Sequence, residues 1–129
     1  MEALTSGKKS AQLKREILRR YMFNGGESIA DLSRDLGLSV PTLTKIVGEL
    51  IDEDLVINLG KQGATGGRRP SIYGVNPSAG YFMGVDIKRD VIVLGIINFR
   101  GDMVISRQYD FHIVNTRQSF DELCNLISQ

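Results

Sequence analysis

Residues Ser28 to Val56 run SIADLSRDLGLSVPTLTKIVGELIDEDLV, a segment with two helix caps and one glycine stop between them. Ser28 is placed to cap a short helix that turns Ile29, Leu32 and Leu36 inward and is closed by Gly37. Ser39 then caps a second helix, with Pro41 in its first turn, where a missing N–H does no harm. That helix is expected to run to about Glu53, with Leu43, Ile46, Val47 and Leu50 spaced i, i+3, i+4 and i+7 on its buried side. At about 100° per residue the opposite side carries Pro41, Thr44 and Lys45, with Ser39 and Thr42 on the flank.

Upstream, Leu13, Ile17 and Tyr21 form the stripe of an amphipathic helix from Ser10 to Phe23, ended by Asn24-Gly25-Gly26. Its cations Lys14, Arg15, Arg19 and Arg20 suit a solvated face. Three helices, the last two joined by a tight glycine-containing turn, match the helix-turn-helix pattern, whose second element enters the major groove of DNA. Close approach to base edges needs small or polar groups near the start of that element, and Thr44 and Lys45 fit; ordinary small bundles share the pattern.

Downstream, Leu55 to Leu59 and Ser71 to Val75 read as the two strands of a wing. Between them GKQGATGGRRP, Gly60 to Pro70, holds Lys61, Arg68 and Arg69, four glycines and no acid. A flexible cationic loop attracts a phosphate backbone, and arginine senses the width of a minor groove; the same loop would also serve solubility alone. The expected DNA-contacting residues are therefore Ser39, Pro41, Thr42, Thr44, Lys45, Lys61, Arg68 and Arg69.

At Asn76 to Gly80 the composition changes to that of a linker, so residues 1–76 are expected to form one domain and 77–129 a second. Tyr81 to Ile87, Val91 to Asn98 and Met103 to His112 read as an antiparallel meander with turns at Lys88 to Asp90 and Arg100 to Asp102. A last helix starts near Asn115, with Gln118 placed for a capping box and Phe120, Leu123, Cys124 and Ile127 along one face, which makes Cys124 a core residue. His112 has no visible nucleophile or carboxylate partner and reads as structural. The fold class is α+β.

Composition narrows the chemistry. The chain has 129 residues, 42% hydrophobic and 24% charged, with one cysteine and one histidine, so neither a disulfide nor a zinc site of ordinary composition can form. Residues 1–70 hold 11 Lys and Arg against 9 Asp and Glu, and residues 71–129 hold 5 against 6; the excess of cations lies in the first half. No secretory signal or membrane-spanning run is read, which makes the cytoplasm the default location. Phosphate-loop, metalloprotease and hydrolase motifs are absent, so neither a cofactor nor an enzymatic activity is expected.

The order of these elements carries a resemblance. From Ser28 to Gly101, the helix-turn-helix, TGGRRPS, VNPSAGYFMGVDI and INFRG together resemble the N-terminal part of a ROK-family transcriptional repressor, the family of repressors, open reading frames and kinases. The resemblance implies that Tyr81 onward begins an actin-like domain, that double-stranded DNA is the partner of a dimer, and that a sugar effector and a zinc site belong to regions beyond this chain, read as an N-terminal fragment. It also implies regulation of carbohydrate metabolism. Kinases of the family follow the position of Asp86 with a glycine-rich turn that cradles ATP; here Lys88, Arg89 and Asp90 stand, and side chains block that approach. Asp54 stands where the family commonly has glycine. Alternatives from other classes are a fragment of a ROK-type sugar kinase with a helical extension and a protein-interaction module.

Overall fold

The computed structural model describes residues 2–61 and 70–129, which fall into two compact units, Met1–Ala79 and Gly80–Gln129. Arg68 and Arg69 lie outside the described residues.

In the first unit the order is α1 (Glu2–Asn24), β1 (Glu27–Ser28), α2 (Ile29–Leu36), α3 (Val40–Asp52), β2 (Val56–Lys61), β3 (Ser71–Val75) and a single 3-10 turn at Pro77–Ala79. Local chemistry sets the boundaries. The Ser28 hydroxyl accepts the Asp31 N–H at 3.1 Å and donates to the Asp31 carboxylate at 2.7 Å, so cap and first turn satisfy each other. Gly37 closes α2 at φ 64°, a left-handed conformation that glycine adopts without steric cost. Ser39 Oγ accepts the Thr42 N–H at 3.3 Å, and Pro41 sits in the first turn of α3.

The core of this unit is Ile17 and Tyr21 from α1, Leu32 from α2, Leu43, Ile46, Val47 and Leu50 from α3, and Val56 and Val75 from the sheet. Each such side chain contributes roughly 1.5–3 kcal/mol through burial, which sets α3 rigidly on the other two helices. Lys14 reinforces the seat by bridging α1 to Glu49 at 2.9 Å and Glu53 at 2.6 Å.

The wing differs from the two-stranded hairpin expected from sequence. It is a three-stranded antiparallel sheet in the order β1-β3-β2, because Glu27 pairs with Tyr73 and Ser28 with Ile72. Gly26 makes this pairing possible: a Cβ there would lie 2.5 Å from Ile72 Cγ2 and 2.7 Å from Leu59 Cδ1. In β2 a bulge falls between Asn58 and Gly60, where Asn58 Oδ1 accepts the Gly60 N–H and Gly60 takes φ 99°.

The second unit is an antiparallel meander, β4 (Tyr81–Ile87), β5 (Val91–Asn98) and β6 (Met103–Asp110), followed by α4 (Arg117–Ser128). Three sequence readings need correction here. The cap of α4 is Thr116, whose side chain accepts the Ser119 N–H, while Gln118 bonds Glu122 one turn on and takes no part in a capping box. Cys124 is exposed, because the inward side of α4 carries the buried Ser119 and the half-buried Leu123, Leu126 and Ile127. The stripe is thus rotated by about one residue from Phe120 toward Ser119, whose hydroxyl accepts the Val114 N–H. Finally, His112 does have a carboxylate partner: Nδ1 pairs with Asp90, brought alongside when the Val91–Asp110 register sets the β4–β5 turn next to the end of β6.

Candidate nucleic-acid interface

The exposed surface of α3 begins at its cap. Leu43, Ile46, Val47 and Leu50 all point into the core, so the opposite side of the helix presents Pro41, Thr44, Lys45 and Gly48 in succession. Ser39, Val40, Pro41, Thr42, Thr44 and Lys45 are all exposed. Acids enter α3 only at Glu49 and Asp52, so its first two turns form a surface without a carboxylate. The N-terminal end of a helix dipole adds to its attraction for anions.

Several cations elsewhere in the three-helix frame are held in ion pairs. Arg20 binds Glu27 at 3.1 Å and Asp35 at 2.7 Å, and Arg34 binds Asp31 at 2.8 Å. Lys14 holds the Glu49 carboxyl below its usual range by direct hydrogen bonding. Likewise the Ser28 hydroxyl, and after it Arg34, lower that of Asp31. Lys45 and Lys61, by contrast, have no carboxylate within ion-pair distance among the described residues. Their charge is available to a partner.

Lys61 ends β2, opposite Ser71 of β3. It lines one side of an open groove whose other residues include Val40 at the tip of α3, Ile29 at the start of α2, and Tyr73 on the wing. The tip of α3 and the base of the wing therefore border one concave surface, with Lys61 on its wing side. Ser39, Pro41, Thr42, Thr44 and Lys45 are brought together on one helix end, Lys61 lies across the groove, and the expected wing-tip arginines fall outside the described residues.

Two features of this surface were not read from sequence. Val40 is 48% exposed although its spacing from Leu43 and Val47 would assign it to the buried stripe; the first turn of α3 projects past the core. Gly48 has open space where a Cβ would stand, so the middle of the outer face is kept low. The threonine at 44 also has a defined state: its hydroxyl donates to the Val40 carbonyl at 2.8 Å.

An amphipathic three-helix frame, an acid-free helix tip and a wing define a class of DNA-binding domain. Residues 11–57 match the family described as winged helix-turn-helix DNA-binding. The chain is 32% identical over 91 residues to the xylose repressor of Bacillus subtilis strain 168, covering 70% of this chain and 24% of that protein. It is 29% identical over 111 residues to the xylose repressor of Bacillus spizizenii, covering 86% of this chain and 29% of that one. It thus spans less than a third of the length of these curated relatives. Among solved structures it superposes with a TM-score of 0.58 on a ROK family transcriptional regulator described as a homolog of the E. coli Mlc protein, at 21% identity over 93% of this chain and 30% of that one. The chain therefore carries a winged helix-turn-helix DNA-binding domain, is similar over most of its length to part of these xylose repressors, and shares its fold with the ROK family regulator.

Proposed function

We propose that the chain is the operator-binding part of a sugar-responsive transcriptional repressor, with α3 in the major groove and the wing against the flanking backbone or minor groove. The observation that carries this reading is the acid-free, exposed tip of α3, seated on a buried core and bearing Lys45, which makes no ion pair among the described residues. Thr44 and Lys45 carry base preference, Ser39, Pro41 and Thr42 set the approach of the helix, and Lys61 supplies a phosphate contact. Arg68 and Arg69 are assigned to the minor groove from their sequence context alone. The relatives named as xylose repressors support a sugar as effector, sensed through regions outside the matched residues, and a regulatory rather than catalytic role. Domain assignment follows the sequence: a DNA-binding domain at 1–76 and the start of an actin-like domain at 77–129.

A dimer is part of the proposal, since two-fold related helices meet half-sites about 34–36 Å apart on one face of DNA. A DNA partner would place the chain in the cytoplasm of a bacterial cell; no helix among the described residues is long and apolar enough to cross a membrane. The kinase alternative is disfavoured by the β4–β5 turn, where Lys88 N–H donates to the Val91 carbonyl and side chains occupy the place of a glycine cradle. Selection of binding sites from a random duplex pool tests the proposal. Enrichment of a defined motif, lost on substituting Thr44 and Lys45 with alanine, is expected; a pool that stays random after selection refutes it.

A further inference from the structure

We propose that the first turn of α3 reads thymine through its 5-methyl group, with the Val40 side chain and the Thr44 methyl as the reading groups. This rests on the reading of α3 as the DNA-contacting helix and specifies what it recognises there.

The starting observation is the direction of one hydroxyl. Thr44 Oγ1 donates its single proton to the Val40 carbonyl at 2.8 Å, a bond within the helix. In the major groove, guanine N7 and O6, adenine N7 and thymine O4 are acceptors and require a donor. Thr44 has none left to offer without breaking that bond. With the oxygen turned back along the helix, the Cγ2 methyl is the group free to meet a partner.

Val40 supplies the second reading group. Its isopropyl group is 48% exposed one turn before Thr44 and carries no polar atom, and the neighbouring Pro41 is exposed as well. Single exposed apolar residues are ordinary. Here, however, helical spacing sets exposed Val40 and Pro41 one turn before exposed Thr44, which groups their apolar parts on one edge of the helix tip, with Thr42 and Lys45 on the other. The best complement of the apolar edge among base edges is the thymine methyl, the one methyl group in the major groove, since the heteroatoms there are donors or acceptors and the C–H of cytosine offers far less apolar surface. Side chains one turn apart stand about 5–6 Å from each other, against about 3.4 Å of rise per base step, so the two groups fall over neighbouring base pairs. Lys45, on the polar edge, is left to meet guanine O6 and N7 or a phosphate.

The test replaces thymine by uracil, which removes only the methyl, one position at a time in a duplex selected by this chain, with dissociation constants read by fluorescence anisotropy. One or two thymines are expected to lose roughly fourfold in affinity on conversion, the factor that one buried methyl carbon carries. Val40→Ala should abolish that sensitivity at one position. Thr44→Ser, which keeps the hydroxyl and removes the methyl, should abolish it at the other, while Thr44→Val, which does the reverse, should retain it. Val40 and Thr44 are exposed, so circular dichroism should report unchanged folding in all three variants. Tight binding that is indifferent to uracil at every position overturns the inference and leaves DNA binding intact. Retention of sensitivity in Thr44→Ser with its loss in Thr44→Val also overturns it. Absence of binding to any duplex overturns both this and the proposed function.

Discussion

Asp54 is the residue whose replacement should most clearly raise stability. It is the one non-glycine residue with positive φ among the described residues, at 57°. The geometry around it is a Schellman ending to α3: the Asp54 N–H donates to the Ile51 carbonyl at 2.9 Å and the Leu55 N–H to the Leu50 carbonyl at 3.0 Å, with Leu50 buried beneath. The motif needs a left-handed residue where Asp54 stands. An L-residue there costs about 1–2 kcal/mol, less for aspartate than for most, while glycine gives back about 0.5–1 kcal/mol as extra backbone entropy lost on folding. The carboxylate also sits at the negative end of the α3 dipole beside Asp52 and Glu53, and its removal contributes about 0.3–1 kcal/mol. The sum favours Asp54→Gly by about 1 kcal/mol, or about 4–8 °C in the melting of a unit of this size. Asp54→Asn isolates the charge effect and should gain a few tenths of that; Asp54→Ala keeps the backbone strain and should fall below Asn. Thermal unfolding followed by circular dichroism decides between them, and an Asp54→Gly protein that melts no higher than the parent refutes the reasoning.

The Tyr21 hydroxyl is buried without a hydrogen-bond partner among the described residues, and burial pushes its pKa well above the ordinary tyrosine value. Tyr21→Phe removes the unsatisfied group and should stabilise by about 1 kcal/mol in urea denaturation; a loss of that size would reveal a bond to water at this site. Lys14 lowers the Glu49 carboxyl pKa, so Glu49 contributes stability above its unfolded pKa and loses it as pH falls through its depressed folded value. Replacing Lys14 with Met should therefore flatten the acid limb of a stability-versus-pH curve, and an unchanged limb would assign that limb to other carboxylates. In the second unit both outer strands of the sheet, β4 and β6, carry exposed apolar side chains including Phe82, Met83, Val104 and Ile105. Edges and patches of this kind associate, so sedimentation should show mass rising with concentration in the micromolar range, and a constant monomer mass would contradict it.

What was legible in the sequence was local. Ser28, Gly37, Ser39 and Pro41 each act within a turn, through a hydroxyl, a missing Cβ or a missing N–H, and the observed boundaries of α2 and α3 follow from them. Helical periodicity likewise located Thr44 and Lys45 on the outer face, since four inward residues determine the direction of the rest. Pairings made across long separations were not legible. Glu27 meets Tyr73 through β1, a two-residue strand with no pattern of its own, and Asp90 meets His112 only once β5 and β6 are in register. Orientation at element ends was also hidden: Val40 follows the buried spacing yet lies beyond the core, α4 is rotated by one residue, and the Thr44 hydroxyl turns to a carbonyl that any exposed threonine in a helix could reach.

DNA recognition by this chain requires α3 and the wing to meet a phosphate backbone. The most direct measurement is the affinity of this chain for a selected duplex as a function of salt, for the parent and for Lys45→Ala and Lys61→Ala. Each neutralised phosphate contributes about −0.9 to the slope of log affinity against log salt. The parent should show a steep negative slope, Lys61→Ala should reduce it by about one while leaving the order of preferred sequences intact, and Lys45→Ala should change that order. An affinity indifferent to salt, or slopes identical in all three proteins, would contradict the assignment of this surface to DNA.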